Sequence, residues 1–384
     1  MSERSLSPSA ALHLGTARVS GLVIHEELPR MIVADDALRT MKSPDARDAT
    51  QAGVRSVLEA ARKTSDIDAW SAADRVARKL VDGSLALDDA EAVREELVSG
   101  DPLSRAVTRA RRLLSQQEPE EALGQLRQAL NTIDRVGTYA DTASTVYRSF
   151  DSFAERALYN RLNASDRRLV VLVPDAYVMA HLLVSAILLA RSQSEGANRD
   201  SDSEQALAHA RRALEVAPLT TSAHLGLVAC LDRMDRLDEA EEALKGMLEL
   251  AHDPQGVAFA YYRMASIQWQ LDHPKACLAC YQLAAGISPM LIPLVVAECH
   301  LLAQQDPQLG SPLDARAVNE ALKARRIPVA PTPRISFLLY DCATASVDAE
   351  VFPVARDLMR ILEYFTGDDI IHGIRNSLER EPDA

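Results

Sequence analysis

The chain has 384 residues, 47% of them hydrophobic and 25% charged, which supplies a packed core and excludes wholesale disorder. Its net charge of −13 repels a phosphate backbone, so nucleic-acid binding is not expected. Five cysteines in so long a chain make no disulfide scaffold, and the opening MSERSLSPSAALHLG lacks the basic-then-apolar pattern of a secretory signal, so a soluble, cytoplasmic protein is expected.

Residues 1–50 mix Ser- and Pro-containing sequence with the short apolar piece Leu22, Val23, Ile24, and are expected to be poorly ordered or loosely packed. From about 51 the spacing turns helical. Val54, Val57, Leu58 and Ala61 recur at three and four, Ala72, Val76 and Leu80 continue the pattern, and Asp82-Gly83 stops it. Asp88 to Val98 reads as another helix, so 51–102 forms a helical N-terminal extension. Glycine is scarce while Ala, Leu, Glu and Arg are frequent, which favours helices throughout.

Two helices are expected at about 103–116 and 119–133, the second with Pro119 in its first turn. Residues 139–163 read as one long amphipathic helix through Ala143, Val146, Tyr147, Phe150, Phe153, Ala154, Ala157 and Leu158. The apolar stretch from Leu169 to Ala190 is interrupted by Pro174, Asp175 and His181. Its unbroken part is far below the ~20 residues of a membrane span and reads as a buried helix at 175–192. The polar run at 192–203 is the expected flexible loop.

Three helices then align by their small residues. EQALAHARRALEVAP carries Ala206, Ala210, Ala213 and Pro218. DEAEEALKGMLELAHDP carries Ala240, Leu244, Met247 and Pro254. PKACLACYQLAAGISP carries Ala276, Cys280, Leu283 and Pro289. The leading alanines are 34 and then 36 residues apart, and the prolines 36 and then 35. Small side chains at those positions let one helix approach its neighbours closely, and each proline closes a unit.

In this register the chain resembles the tetratricopeptide repeat, a helix-turn-helix unit of about 34 residues. The match covers about 175–290, an earlier unit fits at 103–135 through Ala122, Leu126 and Ala129, and a degenerate one at 290–328. The departures are His224, Val228 and Leu231, and Ala260, Met264 and Ile267, at the usual aromatic and small positions. Asp235 stands at the usual turn glycine. The resemblance implies an all-α fold: an α-solenoid over 103–330, closed by a C-terminal helical cap over 331–384. The cap holds a helix at about 348–365 and, after Thr366-Gly367-Asp368, a last one to about 380.

The resemblance also implies a groove that grips a peptide or partner helix. Its inner-face candidates are Leu225, Asp232 and Arg233 in one unit and Tyr261, Gln268 and Trp269 in the next, with Ala229 and Ala265 between them. Tyr261, Tyr262 and Trp269 suit a binding hot spot in a chain with only 4% aromatics, although rings at helical spacing also fill cores. A carboxylate clamp is not expected, because Leu225, Ala229, Tyr261 and Ala265 replace its Lys and Asn residues.

No catalytic constellation or phosphate-cradling loop is present, so no enzyme and no cofactor are expected. Cys277-Leu-Ala-Cys280, with His273 nearby, has a metal-ligand spacing but sits where the repeat wants small core residues. The expected function is therefore a protein–protein interaction module or scaffold. Two other readings stand beside it: a helical metal-binding protein or enzyme centred on Cys277 and Cys280, and a regulator whose repeats sense a peptide while helices at 51–98 bind another partner.

Overall fold

The computed structural model describes residues 102–193, 198–305, 311–349 and 351–380, with scattered positions between 55 and 93. The expectations for 1–50, and most of those for 51–101, lie outside the described residues. The described chain is mostly helical, and it divides into two compact units at Ala180/His181.

In the first unit α1 (Pro102–Ser115) and α2 (Pro119–Asp134) form an antiparallel pair. Leu103, Val107, Ala110 and Leu113 recur at three and four along α1 and are buried, as are Ala122, Leu123, Leu126 and Leu130 of α2. Gln117 turns the chain in the left-handed region at φ 64°, and the Glu118 amide donates back to the Leu113 carbonyl over 2.9 Å.

The single helix expected over 139–163 is not formed. Strand β1 (Thr145–Arg148) is followed by α3 (Phe153–Leu162) and β2 (Leu169–Leu172), and the two strands pair in parallel from Thr145↔Leu169 to Arg148↔Leu172. The break has a local cause. Ser152 caps α3 by accepting from the Glu155 amide over 3.1 Å, and the Glu155 carboxylate accepts from the Asp151 amide over 2.8 Å. This reciprocal arrangement starts a new helix at 153 and leaves the Thr-Val-Tyr-Arg segment to extend. Asp141 then fixes β1, taking two hydrogen bonds from the Arg148 guanidinium, at 2.7 and 2.8 Å, and one from the Tyr147 amide. Arg148 Nε also donates to the Tyr159 hydroxyl over 3.0 Å, tying strand to helix. The expected helix at 175–192 is present as α4 (Asp175–Arg191), whose first residues belong to this unit and whose remainder begins the next.

The second unit strings helices together in sequence: α5 (Arg199–Val216), α6 (Thr221–Arg233), α7 (Leu237–Leu250), α8 (Pro254–Gln270) and α9 (Pro274–Ile287). Each packs on the next, and α6 also touches α8. The residues of the sequence register are inside: Ala206, Ala210 and Ala213, Ala240, Leu244 and Met247, and Ala276 and Cys280 are all buried. Leu283 is half-buried.

The expected loop at 192–203 is shorter than the sequence suggested, because α5 begins at Arg199. Asp202 is buried and receives two hydrogen bonds from Arg191, at 2.6 and 2.7 Å, while acidic residues in a first turn favour the helix dipole. Asp235 and Asp272 repeat the Gln117 turn, at φ 58° and 61°, with amides at 236 and 273 donating back to Leu231 and Gln268. An aspartate tolerates the left-handed conformation better than most residues, which is why the usual glycine is dispensable here.

Pro254 opens α8, and Asp253 caps it, accepting from the Gln255 and Gly256 amides. Asp253 also accepts from the Thr221 hydroxyl over 3.2 Å, tying the start of α8 to that of α6. A side chain on Gly256 would place its first carbon 2.3 Å from both of those oxygens, so only glycine fits.

A short 3-10 turn (Pro289–Leu291), α10 (Ile292–Gln305) and α11 (Ala315–Arg325) follow, both helices packing on α9. The chain ends in α12 (Pro333–Asp348), α13 (Phe352–Thr366) and α14 (Asp369–Leu378). Asp368 caps α14 through the Ile370 and Ile371 amides. Among the described residues no helix is long and apolar enough to cross a membrane.

Candidate interaction site

Helices α6 and α8 lie together, as a groove lined by them requires, but the six candidate residues are not one surface. Tyr261 has no exposed area. Its hydroxyl donates to the Pro328 carbonyl over 2.8 Å and accepts from the Ala330 amide over 2.9 Å, so the ring is a core anchor for the segment after α11 and not a peptide contact. Burial pushes its phenol well above the ordinary tyrosine range, consistent with a hydroxyl that stays protonated.

Gln268 is equally buried. Its amide oxygen accepts from Arg325 Nε over 3.2 Å, and its nitrogen lies 3.6 Å from Met264 Sδ. Arg325 donates in turn to buried Glu241 over 2.6 Å, and Lys245 Nζ sits 3.0 Å from the other oxygen of that carboxylate. Burial works to raise the Glu241 carboxyl, but hydrogen bonds from Lys245, Gln268 and Arg325 outweigh it and hold it below the usual range.

Asp232 is committed as well. It accepts from Arg263 over 2.7 Å and from Gln270 over 3.0 Å, bridging α6 to α8. Of the remaining candidates, Leu225 and Trp269 are half-buried and Arg233 is exposed. Tyr262 rests against Tyr281 with ring centroids 5.6 Å apart. Three of the six groove candidates therefore hold the helices together, and three can meet a partner.

Cys277 and Cys280 are fully buried on α9. Burial pushes the Cys277 thiol up to about 12 and raises that of Cys280 strongly, as for cysteines packed as small apolar side chains. Among the described residues no group of three or more His, Cys, Asp or Glu side chains is placed to hold a metal ion.

The surface that sequence reasoning missed is α10. Val295 and Leu302 anchor it, whereas Ile292, Leu294, Val296 and Leu301 are exposed, as is Met290 just before it. Val296 exposes 61% of its area and Met290 78%. Glu298 is its one charged side chain. Apart from Glu298 and His300 the run Ile292–Ala303 is apolar nearly all round, a pattern normally read as full burial, and nothing local distinguishes a helix covered by its own chain from one left open. No protein-family model matches the chain, and it has no match among the curated proteins.

Proposed function

We propose that the protein is an interaction module of tetratricopeptide type that docks an amphipathic helix of a partner protein against α10. The observation carrying this reading is the row of exposed aliphatic side chains, Met290, Ile292, Leu294, Val296 and Leu301, gathered on and just before one helix, while other exposed apolar residues such as Phe337 and Ile370 are spread over separate helices. Apolar area of that kind gains roughly 25 cal/mol per Å² on leaving water, and large contiguous patches mark contact surfaces. A helical partner suits a helical ridge, since side chains spaced at three and four interdigitate. The net charge of −13 favours a partner with basic flanks. The solenoid reading is supported by the recurring helix pairs, by their shared left-handed turns, and by the contact of α6 with α8.

The test compares affinity recovery by wild type, by a Val296→Glu/Leu301→Glu variant and by an Arg233→Ala/Trp269→Ala variant, each checked by circular dichroism, together with sedimentation of the purified protein. A helical partner lost only with the α10 variant supports the proposal. Loss only with the second variant returns the contact to α6 and α8 and overturns it. A wild-type dimer that the α10 substitutions dissociate shows that a second copy, and not a partner, occupies the ridge.

A further inference from the structure

Among the described residues, the first unit contains a buried cation that no carboxylate answers. Arg156 on α3 is 7% exposed. Two of its three guanidinium nitrogens, Nε and Nη1, are buried without a hydrogen-bond partner. The Phe150 ring, 5.4 Å from Cζ, offers a stabilising contact. Burial pushes the guanidinium down to about 10, which still leaves it charged at neutral pH. An uncompensated buried charge is among the costlier features a fold can carry.

Arg156 lines a cavity of about 370 Å³ between α3, the 163–168 turn and the start of β2. Tyr159, Asn160, Asn163, Asp166, Arg167 and Arg168 share its walls. Arg168 is answered by Asp166, which accepts from its Nε and from its Nη2, the latter over 2.7 Å. Arg148, behind Tyr159, is answered by Asp141. The lining therefore keeps two cations without a carboxylate: buried Arg156 and exposed Arg167. Glu155, next in sequence to Arg156, is turned to the Asp151 amide.

We propose that this pocket binds the phosphate group of a small molecule, either free phosphate or a phosphate monoester. Charge selects the class: a surplus of two positive charges matches a dianion, and phosphate esters carry about −1.5 to −2 at pH 7. Geometry sets the terms: Nε and Nη1 are themselves enclosed by protein, so a ligand in the cavity is held through the net charge of its lining, with exposed Arg167 as the accessible cation. The volume lies near the lower end of the roughly 300–1,000 Å³ of ligand pockets, room for a phosphate with a modest organic part. The site is independent of the α10 surface.

The test is calorimetric titration of the full-length protein at low salt with inorganic phosphate, glucose 6-phosphate and acetate, repeated on Arg156→Met and Arg167→Ala. Saturable phosphate binding is expected, weakened about tenfold or more by Arg156→Met and to a lesser degree by Arg167→Ala, whose exposed side chain the core does not need. Affinity should rise from pH 5.5 to 7.5 as phosphate loses its second proton near pH 6. Tighter binding of the ester identifies an esterified ligand, and equal or weaker binding identifies free phosphate. Absence of saturable phosphate binding to wild type overturns the proposal. So does binding that both variants retain unchanged, or acetate bound as tightly as phosphate.

Discussion

The two units differ in how a buried charge is met. In the second, Glu241 meets Arg325 and Lys245, Asp202 meets Arg191, and the Tyr261 hydroxyl meets the backbone at Pro328 and Ala330. In the first, Asp141 and Arg148 are similarly matched, yet Arg156 keeps two bare nitrogens beside a cavity. Satisfied buried polar groups fix one packing arrangement, whereas an unsatisfied one is a cost that a ligand can relieve. The difference separates polar residues that hold the fold from one that waits for something outside it.

The comparison breaks most visibly at Glu241. Glu241→Gln removes a charge from a nearly buried network and should cost about 3 kcal/mol in urea unfolding. Because the folded carboxyl titrates below its ordinary 4.5, its contribution is complete above that pH and fades as pH falls through the lower folded value. Acid unfolding of the variant should accordingly be shallower, and an unchanged acid profile would remove Glu241 from the network. Tyr261→Phe should cost about 2 kcal/mol, since it strips one acceptor and one donor from backbone groups at Pro328 and Ala330.

Arg156→Met, measured without added anion, should behave in the opposite sense: stability unchanged or raised by about 1 kcal/mol, because an unpaired buried charge is exchanged for an apolar chain. A loss as large as that of Glu241→Gln would erase the contrast between the units. The smallest effect should be common to both. Gln117→Gly in one unit and Asp235→Gly in the other each relieve a left-handed backbone, stabilising by about 0.5–1 kcal/mol, with the larger gain at Gln117.

The succession of helices was readable because small buried residues recur at nearly equal spacing, 34 and then 36 residues: Ala206, Ala240 and Ala276 are all inside. The identity of the groove residues was not, because helical spacing places Tyr261 and Trp269 without saying which face the next segment will cover. Tyr261 is sealed by residues 67 and 69 positions further on. The strand pair was misread for a different reason. Val146, Tyr147 and Phe150 fit a helical period as well as an extended one, and the deciding signal was the Ser152…Glu155 pair, which marks a helix start inside the expected helix. Arg156 gave a legible hint, an arginine flanked by Ala154, Ala157 and Leu158, all buried. That no described carboxylate answers it could be known only from the fold.

The Tyr261 hydroxyl also makes the Ala330 amide a clock. Residues 328–330 belong to no helix or strand, and amides in such segments ordinarily trade their hydrogens with water quickly. Ala330 is nearly buried and its hydrogen is held by a side chain from α8, so exchange there must wait until the segment after α11 lifts away from that helix. Its rate in heavy water would time that separation, one amide reporting on the detachment of a whole stretch of chain.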